Sequence, residues 1–357
     1  MSFIDATSRV RQGEELDPRR IAEFIKQNVE SLKGDLAIEQ FTSGASNRTY
    51  LIRIGSDELV LRCPPFGSEN IKAGHDMHRE FRVLSKLHKV YPPTPRPIIY
   101  CDDQSIVGAP FYLMERKKGV ILRKDLPDKL NISPEMMKRL CASLIDNLVE
   151  IHNLDWVSLE LNEIGKPEGF LARQLEGWVQ RYDRVQTDEI PEVAAVTEWL
   201  RDNQPQSPGA TLIHNDYKFD NVVLDPDDLT RIIGVLDWEM STIGDPLLDL
   251  GVTLGYWIGK NDPELLQLAR TQPTNLPGSF SRSELAESYA KKTGRDISNI
   301  VFYFAFALFK LAVIAQQIYY RYAKGYIKDP LFSLMQAGTM IFVRHSALAI
   351  EKGSIDF

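Results

Sequence analysis

The chain has 357 residues, 43% of them apolar and 25% charged, with a net charge of −7. This is the composition of a soluble globular protein with ample core material, long enough for two domains. The negative balance excludes a protein held to nucleic acid by phosphate contacts, and the short run Arg116-Lys117-Lys118 does not reverse it.

From the amino end, Ile21, Phe24, Ile25 and Val29 recur at helical spacing and predict a helix over 18–32. Turn-punctuated runs at 36–41, 49–54 and 58–63 read as strands, the last two joined by Gly55-Ser56-Asp57. A helix over 76–89, with Phe81, Leu84 and Leu87 on one face, precedes runs at 97–101 and 110–115 that complete a five-stranded antiparallel sheet. After Gly119 long helical periodicities take over. Ser133-Pro134-Glu135-Met136 reads as a capping box opening a helix to His152. Further helices are predicted over 170–185, 193–203, 246–258, 281–293 and 297–322, and strand character is confined to 211–236. The basic, glycine-containing connector near 116–120 divides the chain into domains at 1–116 and 117–357.

Cys63, Cys101 and Cys141 are odd in number and widely spaced, which argues against a disulfide framework or zinc site and for a reducing, cytoplasmic setting. The polar residues 1–15 predict no signal peptide. The apolar run 301–315 contains Lys310 and falls short of the ~20 residues a bilayer span needs. It reads as a core helix, so no membrane partner is expected.

The chemistry concentrates in one string, Ile213-His214-Asn215-Asp216-Tyr217-Lys218-Phe219-Asp220-Asn221-Val222-Val223-Leu224-Asp225, followed by Ile232-Ile233-Gly234-Val235-Leu236-Asp237-Trp238-Glu239. Apolar half-strands bracket a polar loop, and another apolar strand ends in an acid. Phosphoryl transfer to a hydroxyl needs an acceptor for its proton and hard oxygen ligands for magnesium close by. Asp216 supplies the first; Asn221, five residues on, and Asp237 supply the second.

This string resembles the protein-kinase catalytic loop and its metal-binding Asp. It resembles more closely the aminoglycoside phosphotransferase and choline kinase superfamily, in which the metal Asp lies in an Asp-x-Glu context like Asp237-Trp238-Glu239. Gly244-Asp245-Pro246-Leu247-Leu248-Asp249-Leu250-Gly251 matches the same branch, and the resemblance spans roughly residues 30–350. Within it, Tyr217-Lys218-Phe219-Asp220-Asn221 is most similar to the subgroup related to the kinase-like domain of acyl-CoA dehydrogenase fusion proteins. The family usually has Gly where this chain has Asn215, and Asn is one of the few residues that tolerate a left-handed backbone.

The resemblance implies an α+β, bilobed protein-kinase-like fold, with a small antiparallel-sheet N-lobe and a larger, mainly helical C-lobe. It implies Asp216 and Lys218 as catalytic residues, Asn221 and Asp237 as metal ligands, and His214 and Asp249 as residues that orient the loop. Ser43, Gly44, Ser46 and Asn47, between two strands, would cover the phosphates of ATP or another nucleoside triphosphate. Arg62 stands where kinases carry Lys, and a guanidinium can grip phosphate bidentately. Glu80 is its natural partner on the following helix. Met114, Glu115 and Arg116 lead into the hinge beside the adenine edge, and Val223 packs under the ring.

The implied function is ATP- and Mg2+-dependent transfer of the γ-phosphate to a hydroxylated small molecule by a monomer or homodimer. Gln316, Gln317, Tyr319, Tyr320 and Arg321 on the last long helix suit a neutral or anionic acceptor, and the subgroup points to a hydroxyacyl or hydroxy acid. Two alternatives stand beside this: a nucleotide-binding pseudokinase without turnover, and an aminoglycoside- or choline-type kinase. A protein kinase is disfavoured, because Asp-Phe-Gly, Ala-Pro-Glu and a long activation segment are missing between Asp237 and Pro246 and beyond.

Overall fold

A computed structural model describes residues 4–5, 7–29, 32, 34–41, 47–66, 75–127, 130–326 and 329–357. The elements in chain order begin with β1 (Thr7–Ser8), α1 (Pro18–Asn28), β2 (Leu36–Phe41), β3 (Arg48–Ile54), β4 (Asp57–Cys63), α2 (Met77–Leu87), β5 (Pro97–Cys101), α3 (Gln104–Val107) and β6 (Phe111–Glu115). Then come α4 (Pro134–His152), α5 (Phe170–Val185), α6 (Glu192–Asp202), β7 (Thr211–Ile213), β8 (Val222–Leu224), β9 (Ile232–Val235) and β10 (Thr242–Gly244). The chain ends with α7 (Pro246–Gly255), α8 (Glu264–Leu268), α9 (Arg282–Thr293), α10 (Ile300–Ala323) and α11 (Met335–Lys352).

The chain divides into two compact units. The first runs through Ile121 and adds Leu159–Leu161 and Asn221–Met240; the second takes Leu122–Ser158, Asn162–Asp220 and Ser241–Phe357. The hairpin carrying Asn221 and Asp237, which chain order assigns to the second domain, therefore packs with the first.

In the first unit the sheet is antiparallel, in the order β1-β2-β3-β4-β6-β5. It has six strands rather than the expected five, because Thr7 and Ser8 pair with Phe41 and Gln40 at its edge. One face buries Tyr50, Ile52, Leu59, Leu61, Phe111 and Leu113 against Ile21 and Ile25 of α1. Side chains alternate along a strand. With Leu59, Leu61 and Cys63 in that core, Arg62 emerges on the opposite face, where α2 lies. Asp76 caps α2 by accepting from the Arg79 amide at 2.9 Å, and this fixes Glu80 in the first turn.

The second unit is mainly helical. Every residue of α7 is buried, and so is α10 from Phe302 through Val313. A helix that is apolar all round belongs inside a core. At 24 residues α10 is longer than the apolar run suggested and could cross a membrane by length and composition, but 78% of its most apolar window is buried. Gly251 explains how closely α7 and α10 pack: a Cβ there would lie 2.6 Å from the Tyr303 carbonyl oxygen. Ser133 caps α4 by accepting from the Met136 amide at 3.2 Å, without the return bond of a capping box, since residue 136 carries no carboxylate or amide side chain. The reciprocal box forms at Ser281 and Glu284 instead. The last long helix is α11, not α10.

Candidate active site

In the first unit a charged cluster forms around Arg62, itself 6% exposed. Its Nη1 donates to Glu80 Oε1 at 2.7 Å; its Nη2 donates to Asp237 Oδ1 at 2.7 Å and to Glu239 Oε2 at 3.0 Å. Burial opposes the charge on Arg62, but Glu80 above all, with Asp237 and Glu239, holds the guanidinium protonated well above its ordinary range. Burial also pushes the Glu80 carboxyl up, against the pull of Arg62. Glu239 accepts from the side-chain amide of Asn47, whose Oδ1 lies 2.9 Å from His75 Nδ1. Arg79 Nη1 reaches the Glu239 carbonyl at 3.2 Å. The expected Arg62–Glu80 pair is present, and Arg62 is also tied to the acid expected to hold the metal. Ser43, Gly44 and Ser46 lie outside the described residues.

The metal-ligand candidates sit on the β8–β9 hairpin. The Leu236 amide donates to the Asn221 carbonyl at 2.8 Å, so the start of β8 and the end of β9 meet. Asp237 follows with φ +68, a left-handed backbone that few residues besides Gly, Asn and Asp adopt and that is found at functional sites. An amide oxygen and a carboxylate suit Mg2+, which takes one or two protein carboxylates and keeps several waters.

The connector is drawn against this hairpin, with Val120 and Leu224 exchanging amide bonds of 2.9 and 2.8 Å. Gly119 permits the approach, since a Cβ would lie 2.3 Å from the Leu224 carbonyl oxygen and 2.6 Å from Val223 Cγ1. Val223 is thus buried beside the connector. Met114 is buried in β6, opposite Val60. The Glu115 amide is committed to the Arg96 carbonyl at 2.8 Å, and the Arg116 side chain to Glu58 at 2.8 Å and the Asp5 carbonyl at 2.9 Å.

In the second unit the loop at Asp216 is fixed from several directions. Asp249, fully buried, accepts the His214 amide at Oδ2 and the Asn215 amide at Oδ1, both at 2.7 Å, and lies 3.1 Å from His152 Nε2. Burial alone would raise its carboxyl; the bonds from His152 and the His214 amide hold it below the usual range. His152 Nδ1 is in turn 2.7 Å from the Tyr289 hydroxyl. The Tyr217 hydroxyl lies 3.0 Å from the Leu144 carbonyl and 2.9 Å from Asn147 Oδ1 on α4, and the Phe219 amide donates to Gln272 at 2.7 Å. Asn215 has φ +66, the left-handed conformation that its side chain tolerates. Lys218 Nζ lies 2.5 Å from Asp216 Oδ2 and 4.5 Å from the Tyr256 ring centroid. Tyr256 shares a hydrogen bond with Asp216, and burial first, then the Asp216 charge, pushes its hydroxyl far up.

Sequence reasoning missed Tyr256, His152 and the tie from Glu239 to Asn47. Tyr256 is one aromatic among many, and His152 closes a long helix without a motif. Gln316, expected toward the acceptor, instead donates to the Val185 carbonyl at 2.8 Å and lies 3.0 Å from the Thr187 hydroxyl.

Comparison with known proteins gives the family. The chain belongs to the phosphotransferase enzyme family, whose model matches residues 37–278. It is 36% identical over 329 residues to acyl-CoA dehydrogenase family member 11 of Rattus norvegicus, covering 89% of this chain and 41% of that protein. It is 33% identical to family member 10 of Mus musculus, covering 82% of this chain and 27% of that protein. The chain thus spans well under half the length of these relatives. Among solved structures, a Ralstonia eutropha protein named provisionally as an aminoglycoside phosphotransferase matches at TM-score 0.79 and 27% identity, covering 95% of this chain and 99% of that one. The aminoglycoside phosphotransferase APH(4)-Ia, solved with AMP-PNP and hygromycin B, shares the fold at TM-score 0.57 and 15% identity, covering 91% and 97% of the two chains.

Proposed function

We propose that this chain transfers the γ-phosphate of ATP to a hydroxyl of a small molecule, with Asp216 as base and Mg2+ on Asn221 and Asp237. The observation that carries the reading is the Asp216 loop, clamped by Asp249 and paired with Lys218. The incoming hydroxyl gives its proton to Asp216, its oxygen bonds to the γ-phosphorus, and the bond to the bridging oxygen breaks, releasing ADP. Bound magnesium would supply charge neutralisation on the phosphates. Lys218 neutralises charge next to the base, and Arg62, held over Asp237 by Glu80, is the cation for the α- and β-phosphates. Catalysis here is mostly positioning and charge stabilisation.

The acceptor we favour is a hydroxyacyl or hydroxy-acid metabolite. Relatives named as acyl-CoA dehydrogenase family members support it, as does Lys218 beside Asp216, which suits an anionic acceptor better than an aminoglycoside. The three cysteines, all buried and unpaired, support work in the cytoplasm.

The test begins with thermal stabilisation by ATP, which grows as RT ln(1 + [L]/Kd). It should be large with magnesium and small with EDTA. A panel of hydroxy acids, hydroxyacyl thioesters, choline and aminoglycosides then identifies the acceptor. Asp216→Asn should lower turnover by about 10²–10⁴-fold while leaving ATP binding intact. Magnesium-dependent binding with no phosphorylated product would favour a nucleotide-binding pseudokinase, and near-normal turnover in the variant would remove Asp216 from its role.

A further inference from the structure

Lys310 is the charged residue in the most apolar stretch of the chain, on α10 between Phe309 and Leu311, and it is buried. Its Nζ donates to the Asn215 carbonyl at 3.1 Å and lies 5.6 Å from the Trp178 ring centroid. Burying an ammonium is unfavourable unless something on the protein needs it. The acceptor it has chosen is the carbonyl of the one loop residue with a left-handed backbone, directly before Asp216.

We propose that Lys310 is a positioning residue for Asp216: from the carbonyl side it locks the left-handed turn at Asn215 whose amide side Asp249 holds. The peptide joining Asn215 to Asp216 sets where the Asp216 carboxylate points. Asp249 holds the two peptides before it through the His214 and Asn215 amides, and Lys310 holds that peptide itself by its carbonyl. A charge-assisted bond is roughly twice as strong as a neutral one, so the lock depends on the proton. The groups facing the ammonium act in both directions. Asp216 and Asp249 favour its charge, Lys218 and Arg181 oppose it, and burial, the largest influence, brings it down to about 8. The lock is therefore closed at neutral pH and loosens as pH rises through that value. The inference rests on Asp216 being the base, and its test is arranged so that the two can fail separately.

Lys310→Met and Lys310→Gln remove the charge; Lys310→Arg keeps it at every accessible pH. The first readout is amide hydrogen exchange over residues 211–221, measured with no nucleotide or acceptor. Losing a charge-assisted bond should speed exchange there about tenfold or more in the neutral variants. Exchange over α10 should stay slow, and Lys310→Arg should restore the loop at least in part. The second readout is Mg·ATP turnover, with water or the acceptor found in the panel, between pH 6.5 and 9.5. A displaced base should lower kcat by about 10²-fold, with KM for ATP little changed. The alkaline fall of the wild type near pH 8 should move upward in Lys310→Arg. Unchanged loop exchange in both neutral variants overturns the proposal, as does exchange that rises evenly across the whole second unit, which marks a purely structural lysine. Because exchange is read without substrate, it decides the lock even if the wild type turns over no ATP, an outcome that would count against the phosphotransferase reading instead.

Discussion

The Asp216 loop and the Arg62 cluster both hold charge out of water, and they do so differently. Around the loop nearly every group is tied to a neutral or opposite partner at the core: backbone amides on Asp249, a carbonyl on Lys310, a tyrosine hydroxyl on α4. Around Arg62 one guanidinium serves Glu80, Asp237 and Glu239 together. The first arrangement spreads its charge over backbone groups; the second shares one guanidinium among three acids. On the proposed reading, a base must be aimed before the substrate arrives, whereas a phosphate and metal site must exchange partners when they arrive.

The largest effect should come from breaking the loop side. Asp249→Ala strands two buried amides and His152, and losing one partner of a buried charged network costs about 3–5 kcal/mol. Urea unfolding of the variant should show that loss. The pH dependence carries a sign. The folded Asp249 carboxyl is held below its ordinary value, so its contribution is complete above the unfolded value of about 4 and disappears as pH falls through the lower folded one. Asp249→Asn should lack this acid limb. A variant as stable as the parent at every pH would mean that the loop does not depend on this carboxylate.

Next is the exchangeable side. Arg62→Ala should weaken ATP by about tenfold or more, since hydrogen bonds to charged groups are worth about 1.5–3 kcal/mol, while adenosine binds as before. It should also leave Glu80 buried without its cation, so Arg62→Ala should lose more stability than Arg62→Ala combined with Glu80→Gln. Calorimetric titration with ATP, ADP and adenosine separates the two effects. Equal affinity of parent and variant for all three would confine Arg62 to a structural role.

The same contrast marks what could be read from the chain. Asp216, Lys218, Asn221 and Asp237 lie within one short string, where the residue types and the family resemblance single them out. The Arg62–Glu80 pair and the grip of Asp249 on loop amides were also legible, because strand alternation and helix N-terminal position limit where each side chain points. Lys310 meets Asn215 across 95 residues, and only its odd placement in an apolar run hinted at a purpose. Two-residue β1 and three-residue β10 are too short for a period-2 signal. Helix α11 escaped because Gly338, Thr339 and Ser346 blur its apolar stripe. The packing of Asn221–Met240 with the first unit reflects contact rather than chain order, which no periodicity reports.

The smallest effect tests whether the loop is held redundantly. The Tyr217 hydroxyl lies within hydrogen-bonding distance of the Leu144 carbonyl and Asn147 Oδ1, and the ring is fully buried. Tyr217→Phe keeps the ring and removes the hydroxyl, which should cost about 0.5–1.5 kcal/mol. Because the amides on Asp249, the Phe219 amide on Gln272 and the Thr253 hydroxyl on the Tyr217 carbonyl at 2.9 Å all remain, the backbone of the loop should not move. Stability should therefore fall slightly while kcat and ATP affinity stay within about twofold, since a loss confined to the folded core changes no interaction made only in the transition state. Urea unfolding and steady-state kinetics on the same preparation check this. A tenfold fall in kcat from one missing hydroxyl would show that the loop is poised rather than over-determined, and the contrast between the two charged centres would then lie in their ligands alone.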